Sequence, residues 1–341
     1  MQFCDEIRVG EKLIGKGLRP FIIAEAGVAH FGDYQKALKL IDLAYLANAD
    51  AVKFQTFIPD EMVSRTDKEW HERMQSRALE LDDFRKLKEY ADSKGIIFFS
   101  TAHDQKSFEY LESINVELHK IGSGEVGNWD YIRRVASAQK PVILSTGMYT
   151  DKDIQRVIKI FEQVENDQLC ILHCITNYPC PANEISLNEI RRINEKYKVM
   201  TGYSDHSQGF HIPLASVALG AVVIEKHISL DFNIPNAQDW KVSCGIHDLG
   251  TFVSQVHDVA DAMSDLKVRT NAEIENKKWA SKSIVASMDL EIGQILSDEH
   301  LAVKRPGCGI EPDKKLKLLG RKLVRPIAKD QLLQWEDFSE A

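Results

Sequence analysis

Two apolar runs near the middle of the chain each end in residues able to bind a metal. KVMTGYSD (198–205) delivers Ser204, Asp205 and His206, and AVVIEKHIS (221–229) delivers Glu225, Lys226 and His227. A small-residue stretch, IPLASVALG, separates them. Two histidines on neighbouring strand ends are a donor pair that a divalent cation accepts. The same residues also read as two unrelated histidines at strand termini. Apolar strands that turn polar at their C-terminal ends suggest the mouth of a barrel, where active sites sit.

Other strand ends along the chain are polar too. In order they supply Glu25; Lys53 and Gln55; Ser100 and Thr101; Lys120 and Ser123; Ser145 and Thr146; Thr176 and Tyr178; then Ser204, Asp205 and His206; then Glu225 and His227. Side chains alternate along a strand, so Lys53 and Gln55 share a face, as do Glu225 and His227. Two lysines among several hydroxyls make a cradle for an oxyanion or phosphate. The Gly122-Ser123-Gly124 segment adds backbone N–H groups that an anion can approach closely. A desolvated lysine could instead form a Schiff base, as in covalent aldolases. Taken singly, a lysine or serine at a strand end has a bland reading, since lysines snorkel to water.

These residues need a scaffold that gathers eight strand ends. After a short hairpin within residues 1–20, apolar runs alternate with amphipathic stretches eight times, from FIIAEAG (21–27) with DYQKALKLIDLAYLANA to AVVIEKHIS with HDLGTFVSQVHDVADAMS (247–264). Eight strand–helix units in an α/β chain predict a closed (β/α)8 TIM barrel. An open doubly wound sheet is the rival, but no Gly-rich phosphate fingerprint follows the first strand. The barrel domain is expected over 1–270, a polar linker or exposed helix over 271–282, and a small, weakly regular C-terminal module over 283–341.

With 341 residues, 44% hydrophobic and 28% charged, the chain has the composition of a soluble globular protein. It contains no apolar run of ~18 residues, hence no expected membrane span, and no secretory signal at its start. A net charge of −8 argues against a nucleic-acid partner while allowing a locally basic pocket. The six cysteines lack a framework spacing. Cys170 and Cys174, flanking His173 in an apolar strand, read as reduced core residues rather than zinc ligands, which fits a cytoplasmic protein.

Eight segments together resemble the sialic acid synthase (NeuB-type) family. They are AEAGVAHFGD (24–33), KFQTF (53–57), KIGSGE (120–125), LSTGM (144–148), HCITNYP (173–179), GYSDHSQG (202–209), ALGAVVIEKHISLD (218–231) and KRPGCGI (304–310). The likeness runs in order through almost the whole chain and includes a C-terminal antifreeze-like (SAF) domain. It implies a C–C bond-forming transferase that condenses phosphoenolpyruvate with the open-chain aldehyde of an N-acylated amino sugar. The products would be phosphate and a nine-carbon 2-keto sugar acid. It implies a divalent metal, Mn2+ first and Mg2+ or Co2+ next, on His206 and His227. Phosphoenolpyruvate contacts fall on Lys53, Gln55, Thr101, Lys120, Ser123, Ser145 and Ser204, and sugar contacts on Thr176 and Tyr178. Glu25 falls on an acidic residue near metal and sugar. Trp279 falls near an aromatic that packs over the sugar end, and Arg305 falls on the arginine that the antifreeze-like domain of one subunit extends into the other subunit's site in a domain-swapped homodimer.

The chain departs from the family pattern at several places. Ala29-His30-Phe31 stands where Asn-His and a small or polar residue are usual, and Ala102-His103 stands where Pro-Phe is usual. After the eighth strand, Asn236-Ala237-Gln238-Asp239-Trp240 replaces a Gly-Pro-Asp-His type segment. Asp239 is aligned with the family's aspartate, Gln238 being the ungapped choice. The changes gather on the sugar side, so the donor is expected to be phosphoenolpyruvate and the acceptor stays open. N-acetylmannosamine and a 2,4-diacetamido-6-deoxy sugar, giving legionaminic or pseudaminic acid, both remain. A 6-phosphorylated sugar lacks an evident extra basic group. A non-catalytic sugar-binding protein on the same scaffold is the reading from another class, and the intact lysine, serine and histidine set argues against it.

Overall fold

The computed structural model of the chain describes residues 1–235, 237–263 and 268–339. The antiparallel hairpin of β1 (Glu6–Val9) and β2 (Lys12–Gly15) comes first. Eight strands follow: β3 (Phe21–Gly27), β4 (Ala51–Thr56), β5 (Ile97–Ala102), β6 (His119–Ile121), β7 (Val142–Ser145), β8 (Leu169–His173), β9 (Met200–Asp205) and β10 (Val223–His227). Each pairs in parallel with its neighbour in the chain, and β10 returns to β3 to close the barrel. The expected (β/α)8 barrel is therefore what the chain forms.

Strand parity does the sorting. Phe21, Ile23, Phe99, Leu118, Ile143, Leu172 and Val223 point inward and fill the barrel, and Ile7, Val9 and Ile14 of the hairpin join the same core. Their neighbours Ile22, Val52, Phe98, Leu144, Ile171 and Ile224 point outward against the helices. Both faces of a parallel strand are thus buried, which is why these runs read as continuously apolar. Helices Tyr34–Leu46 and Gln105–Ser113 begin at Asp33 and Asp104, whose side chains accept from the first-turn N–H groups.

Two compact units divide the chain, Met1–Met263 and Ser264–Ala341. In the second, the stretch read as a linker or exposed helix forms the helix Asn271–Ala280, entered through a Thr270–Glu273 capping box. The two-stranded sheet of β11 (Ser283–Ala286) and β12 (Leu301–Lys304) follows. A separate core of Ile284, Leu290, Leu301, Leu323 and Leu333 holds this unit together. Among the described residues no helix is long and apolar enough to cross a membrane.

Candidate active site

The inward parity that fills the barrel with apolar side chains ends, one step from the strands' C-terminal rim, in polar ones. A cavity of about 170 Å³ is lined there by Glu25, Lys53, Gln55, Thr101, Lys120, Ser123, Ser145, Thr176, Tyr178, Ser204, His206, Glu225 and His227, among others. All eight barrel strands, or the loops leaving them, contribute. A larger cavity of about 630 Å³ lies by the strands' N-terminal ends, near Phe3, Met200 and Val222. In barrels of this type that end serves stability, so the smaller, polar cavity is the candidate site.

Four buried charges form its floor. Lys53 Nζ lies 2.6 Å from Glu25 Oε2 and 3.7 Å from Glu225 Oε2, and donates to Thr101 Oγ1 at 3.1 Å. Lys120 Nζ donates to Ser145 Oγ at 2.7 Å and stands 3.8 Å from Glu225 Oε1. Ser204 Oγ donates to that same Glu225 oxygen at 2.7 Å. Gln55 Nε2 donates to Glu25 Oε1 at 3.2 Å. Two cations are therefore matched to two carboxylates, which is the arrangement that makes burial of such charges tolerable.

The two carboxyls are pushed apart. Desolvation drives Glu25 upward, against the pull of Lys53 and with Glu225 adding to the rise. Glu225 is equally desolvated, yet Lys120, Lys53 and the Ser204 hydroxyl outweigh burial and hold it low. Such a split separates a carboxyl able to carry a proton near neutrality from one that stays ionised. Burial favours the neutral form of both lysines; Glu225 and Glu25 reverse this for Lys53, which is raised, while Lys120 is lowered.

At the other side of the cavity stand the two histidines, with ring centroids 5.4 Å apart. One ion with metal–nitrogen bonds of about 2.1 Å spans such a separation. His206 Nδ1 lies 2.6 Å from the Ile175 carbonyl oxygen. A carbonyl only accepts, so Nδ1 carries the proton and Nε2 keeps its lone pair, the tautomer a metal ligand requires. Glu25 Oε2 and Glu225 Oε2 are buried without a hydrogen bond, met only by the Lys53 ammonium. This donor set fits a divalent cation. Among the described residues no third His, Cys, Asp or Glu completes a closed cage, so the remaining positions would go to water or substrate oxygens. The Tyr178 ring packs over His206 at 4.0 Å and against His227 at 5.7 Å, which fixes both imidazoles from one side.

Two glycines make the geometry possible. A Cβ on Gly202 would lie 2.4 Å from the Val223 carbonyl oxygen, so glycine lets β9 and β10 sit close enough to present both histidines. A Cβ on Gly147 would lie 2.2 Å from Thr176 Oγ1 and 2.8 Å from Ser123 Oγ, while its N–H donates to Ser123 Oγ at 2.9 Å. Because the clash falls on side-chain ends, Gly147→Ala should leave the melting temperature within a few degrees. It should weaken substrate binding about tenfold by displacing both hydroxyls, a loss of roughly 1.4 kcal/mol. Unchanged KM values would show that these hydroxyls do not touch ligand.

Parity corrects the polar ring inferred from strand ends. Ser100, Thr146 and Asp205 lie on the outer parity. The Ser100 and Thr56 hydroxyls bond each other at 2.7 Å, and Thr146 Oγ1 donates to the Leu172 carbonyl at 3.0 Å. Asp205 is locked to Lys226 at 2.6 Å. Cys174 is corrected in the opposite sense. Cys170 is core, but Cys174 lines the cavity, 3.6 Å from Ser123 Oγ and 3.8 Å from His206 Nδ1. All six cysteines are free. Glu225, which the sequence offered only as a polar, metal-capable strand end, and His103, which it gave no role, also line the cavity; His103 is found by counting two from Thr101.

Around the rim, Asp239 feels the charges of His206, Arg77 and Lys53, although burial dominates and raises its carboxyl. Gln238 is exposed and accepts from Lys241 Nζ at 2.8 Å. The segment that departs from the family pattern after the eighth strand begins at Asn236, which is outside the described residues. Trp279 and Arg305 belong to the C-terminal unit, where both are exposed.

The chain is similar in sequence and fold to known proteins. The NeuB family pattern matches residues 40–268 and the SAF domain pattern residues 281–339. The N,N'-diacetyllegionaminic acid synthase of Campylobacter jejuni is 35% identical over 332 residues, covering 93% of this chain and 99% of that protein. The pseudaminic acid synthase of the same organism is 33% identical over 331 residues, covering 93% and 96%. The solved N-acetylneuraminic acid (sialic acid) synthetase of Leptospira borgpetersenii is 33% identical with a TM-score of 0.75, covering 81% of this chain and 96% of that one.

Proposed function

The chain belongs to the NeuB family, with a SAF domain following the barrel in sequence, and on that premise we propose that it condenses phosphoenolpyruvate with an N-acylated amino sugar. The carrying observation is the one cavity in which a matched Lys53–Glu25–Glu225–Lys120 cluster faces a histidine pair. A bound anion needs the first; polarising an aldehyde suits the second.

In this reading Lys53, Lys120, Thr101, Ser123 and Ser145 hold the phosphoryl and carboxylate oxygens of phosphoenolpyruvate. C3 of the enol attacks the aldehyde carbon of the open-chain sugar, and water adds at C2. The tetrahedral centre then collapses with loss of phosphate, leaving the 2-keto acid. Glu225 keeps Lys53 charged throughout, so anion stabilisation needs no reorganisation at the moment of reaction. Glu25, whose carboxyl is raised by burial, holds or releases the proton exchanged with the water or the sugar oxygen. A divalent cation on His206 and His227, Mn2+ by preference, would supply Lewis-acid polarisation of the aldehyde oxygen. Tyr178 and Thr176 line the acceptor side, and Asp239 stands at its edge. Arg305 and Trp279 would complete the site of a second copy in a domain-swapped dimer.

The acceptor is N-acetylmannosamine or a 2,4-diacetamido-trideoxyhexose. The names of the two Campylobacter relatives favour the second. A Schiff-base route would require Lys53 or Lys120 to be a free amine; Lys53 is held charged between Glu25 and Glu225, and Lys120, although lowered by burial, faces Glu225 within 4 Å and donates to Ser145 Oγ. Borohydride with substrate should therefore leave both lysines unmodified.

The metal assignment is tested by stripping the protein with chelator and restoring Mn2+. Sugar-dependent phosphate release should vanish and return. His206→Ala should keep its melting temperature, lose measurable Mn2+ binding in calorimetry, and fail to recover turnover. Full turnover of His206→Ala after repletion would count against the pair.

A further inference from the structure

Of the polar side chains in the pocket that the proposed mechanism leaves unused, His103 is the one with a buried atom that has no hydrogen-bond partner. His103 directly follows β5 and continues its inward parity from Thr101. Its backbone is pinned on both sides: its N–H donates to the Thr56 carbonyl at 3.0 Å. The adjoining Asp104 carboxylate accepts from Ile58 N and Ser107 N, each at 2.8 Å. The ring leans edge-on against Phe57, with centroids 6.4 Å apart, and its Cε1 lies 3.9 Å from where a Cβ on Gly122 would be. Thus held, it lines the catalytic cavity while its Nε2 is buried and has no hydrogen-bond partner. A buried imidazole nitrogen left unpaired inside a ligand pocket is a group waiting for a ligand atom.

Resting on the synthase reading above, we infer that His103 donates a hydrogen bond from Nε2 to the phosphoryl group of the phosphate-bearing substrate. Position favours that group over the sugar. The charges that reach His103 include Lys53 and Lys120, the cations assigned to the anion. Burial first, and then these two lysines, hold the imidazole down to about 4, so near neutrality it is uncharged and presents one N–H. The cluster's chemistry calls for such a donor. Its two lysines already face two carboxylates, so neutral donors must carry much of the load of a phosphate dianion. The resemblance also places this residue where the family usually carries phenylalanine. Affinity for the donor substrate would accordingly be tuned by His103 rather than dependent on it.

That departure gives a fold-compatible test. Phosphoenolpyruvate and, separately, inorganic phosphate are titrated by calorimetry into the Mn2+-loaded wild type, His103→Phe and His103→Gln, and KM is measured for each substrate. His103→Phe should weaken both anions about tenfold, the scale of one hydrogen bond to a charged group, with the amino-sugar KM within about twofold. His103→Gln, which also carries an N–H, should retain most of the affinity. Equal anion affinity in wild type and His103→Phe overturns the inference, as does a loss confined to the sugar KM. A glutamine variant no better than phenylalanine reduces the effect to shape and likewise overturns it. Loss of phosphoenolpyruvate binding without loss of phosphate binding moves the contact to the carboxylate and overturns the phosphoryl assignment. A wild type that binds no phosphoenolpyruvate sinks the synthase reading itself.

Discussion

Replacing Lys226 by methionine should destabilise the barrel by about 3–5 kcal/mol, the usual cost of orphaning one partner of a buried ion pair. Lys226 and Asp205 face outward from β10 and β9, fully enclosed, at 2.6 Å. The ammonium also donates to the Ser207 carbonyl at 2.9 Å and the Gly209 carbonyl at 3.3 Å. Asp205 in turn accepts from the Ser207 N–H at 3.0 Å and from its hydroxyl at 2.6 Å. This knot ties down the loop that leaves β9 through His206. Lys226→Met leaves a carboxylate and two carbonyls without their cation, and it loosens the peptide that sets the His206 ring. Urea unfolding should show the stability loss, and Mn2+ titration should show weakened binding. A double variant, Lys226→Met with Asp205→Leu, should recover part of the stability because no charge is left stranded. A loss below about 1 kcal/mol in the single variant would show the pair to be solvated rather than enclosed.

The second large effect is catalytic. Lys53 is the hub of the floor, touching Glu25, Glu225 and Thr101. Lys53→Met removes the cation to which the proposed function gives the phosphate, and it leaves two carboxylates without the ammonium between them. Sugar-dependent turnover should fall by about 10²–10³ or more, the range found when one preorganised electrostatic group is removed. Glu25 should then titrate higher still, since Lys53 is the first of the groups that pull it down. Lys53→Arg should restore anion binding better than turnover, because the planar fork cannot occupy the same point between the carboxylates. Retention of wild-type turnover by Lys53→Met, with the fold intact by thermal melt, would remove Lys53 from the mechanism.

How far the sequence reaches can be judged from single residues. Eight apolar runs alternating with amphipathic helices were enough for the barrel, because parallel strands are buried on both faces and stand out as continuous hydrophobic stretches. Period-two alternation also placed Lys53 with Gln55 and Glu225 with His227. The failures have the same root. Ser100, Thr146 and Asp205 are polar residues near the ends of their strands and so join the ring in a linear reading, yet they sit one step out of phase and satisfy neighbours on the outer face. Cys174 was read as core because it follows an apolar strand, although its phase turns it into the cavity. The role of Glu225 was not legible from types alone. Its value comes from standing within 4 Å of two lysines contributed by β4 and β6, a coincidence only closure of the barrel creates. Parity from Thr101 reaches His103, but only the folded pocket shows that its Nε2 is buried without a partner.

The most direct test of the whole account is product mass after incubation of the Mn2+-loaded protein with phosphoenolpyruvate and a panel of amino sugars. The panel holds N-acetylmannosamine, its 6-phosphate and 2,4-diacetamido-trideoxyhexoses. The account predicts one phosphate released per product, and a product whose mass is the sugar plus phosphoenolpyruvate plus water less phosphoric acid. It also predicts dependence on metal and no release without sugar. Phosphate release that ignores the sugar, or no new product with any member of the panel, would contradict it.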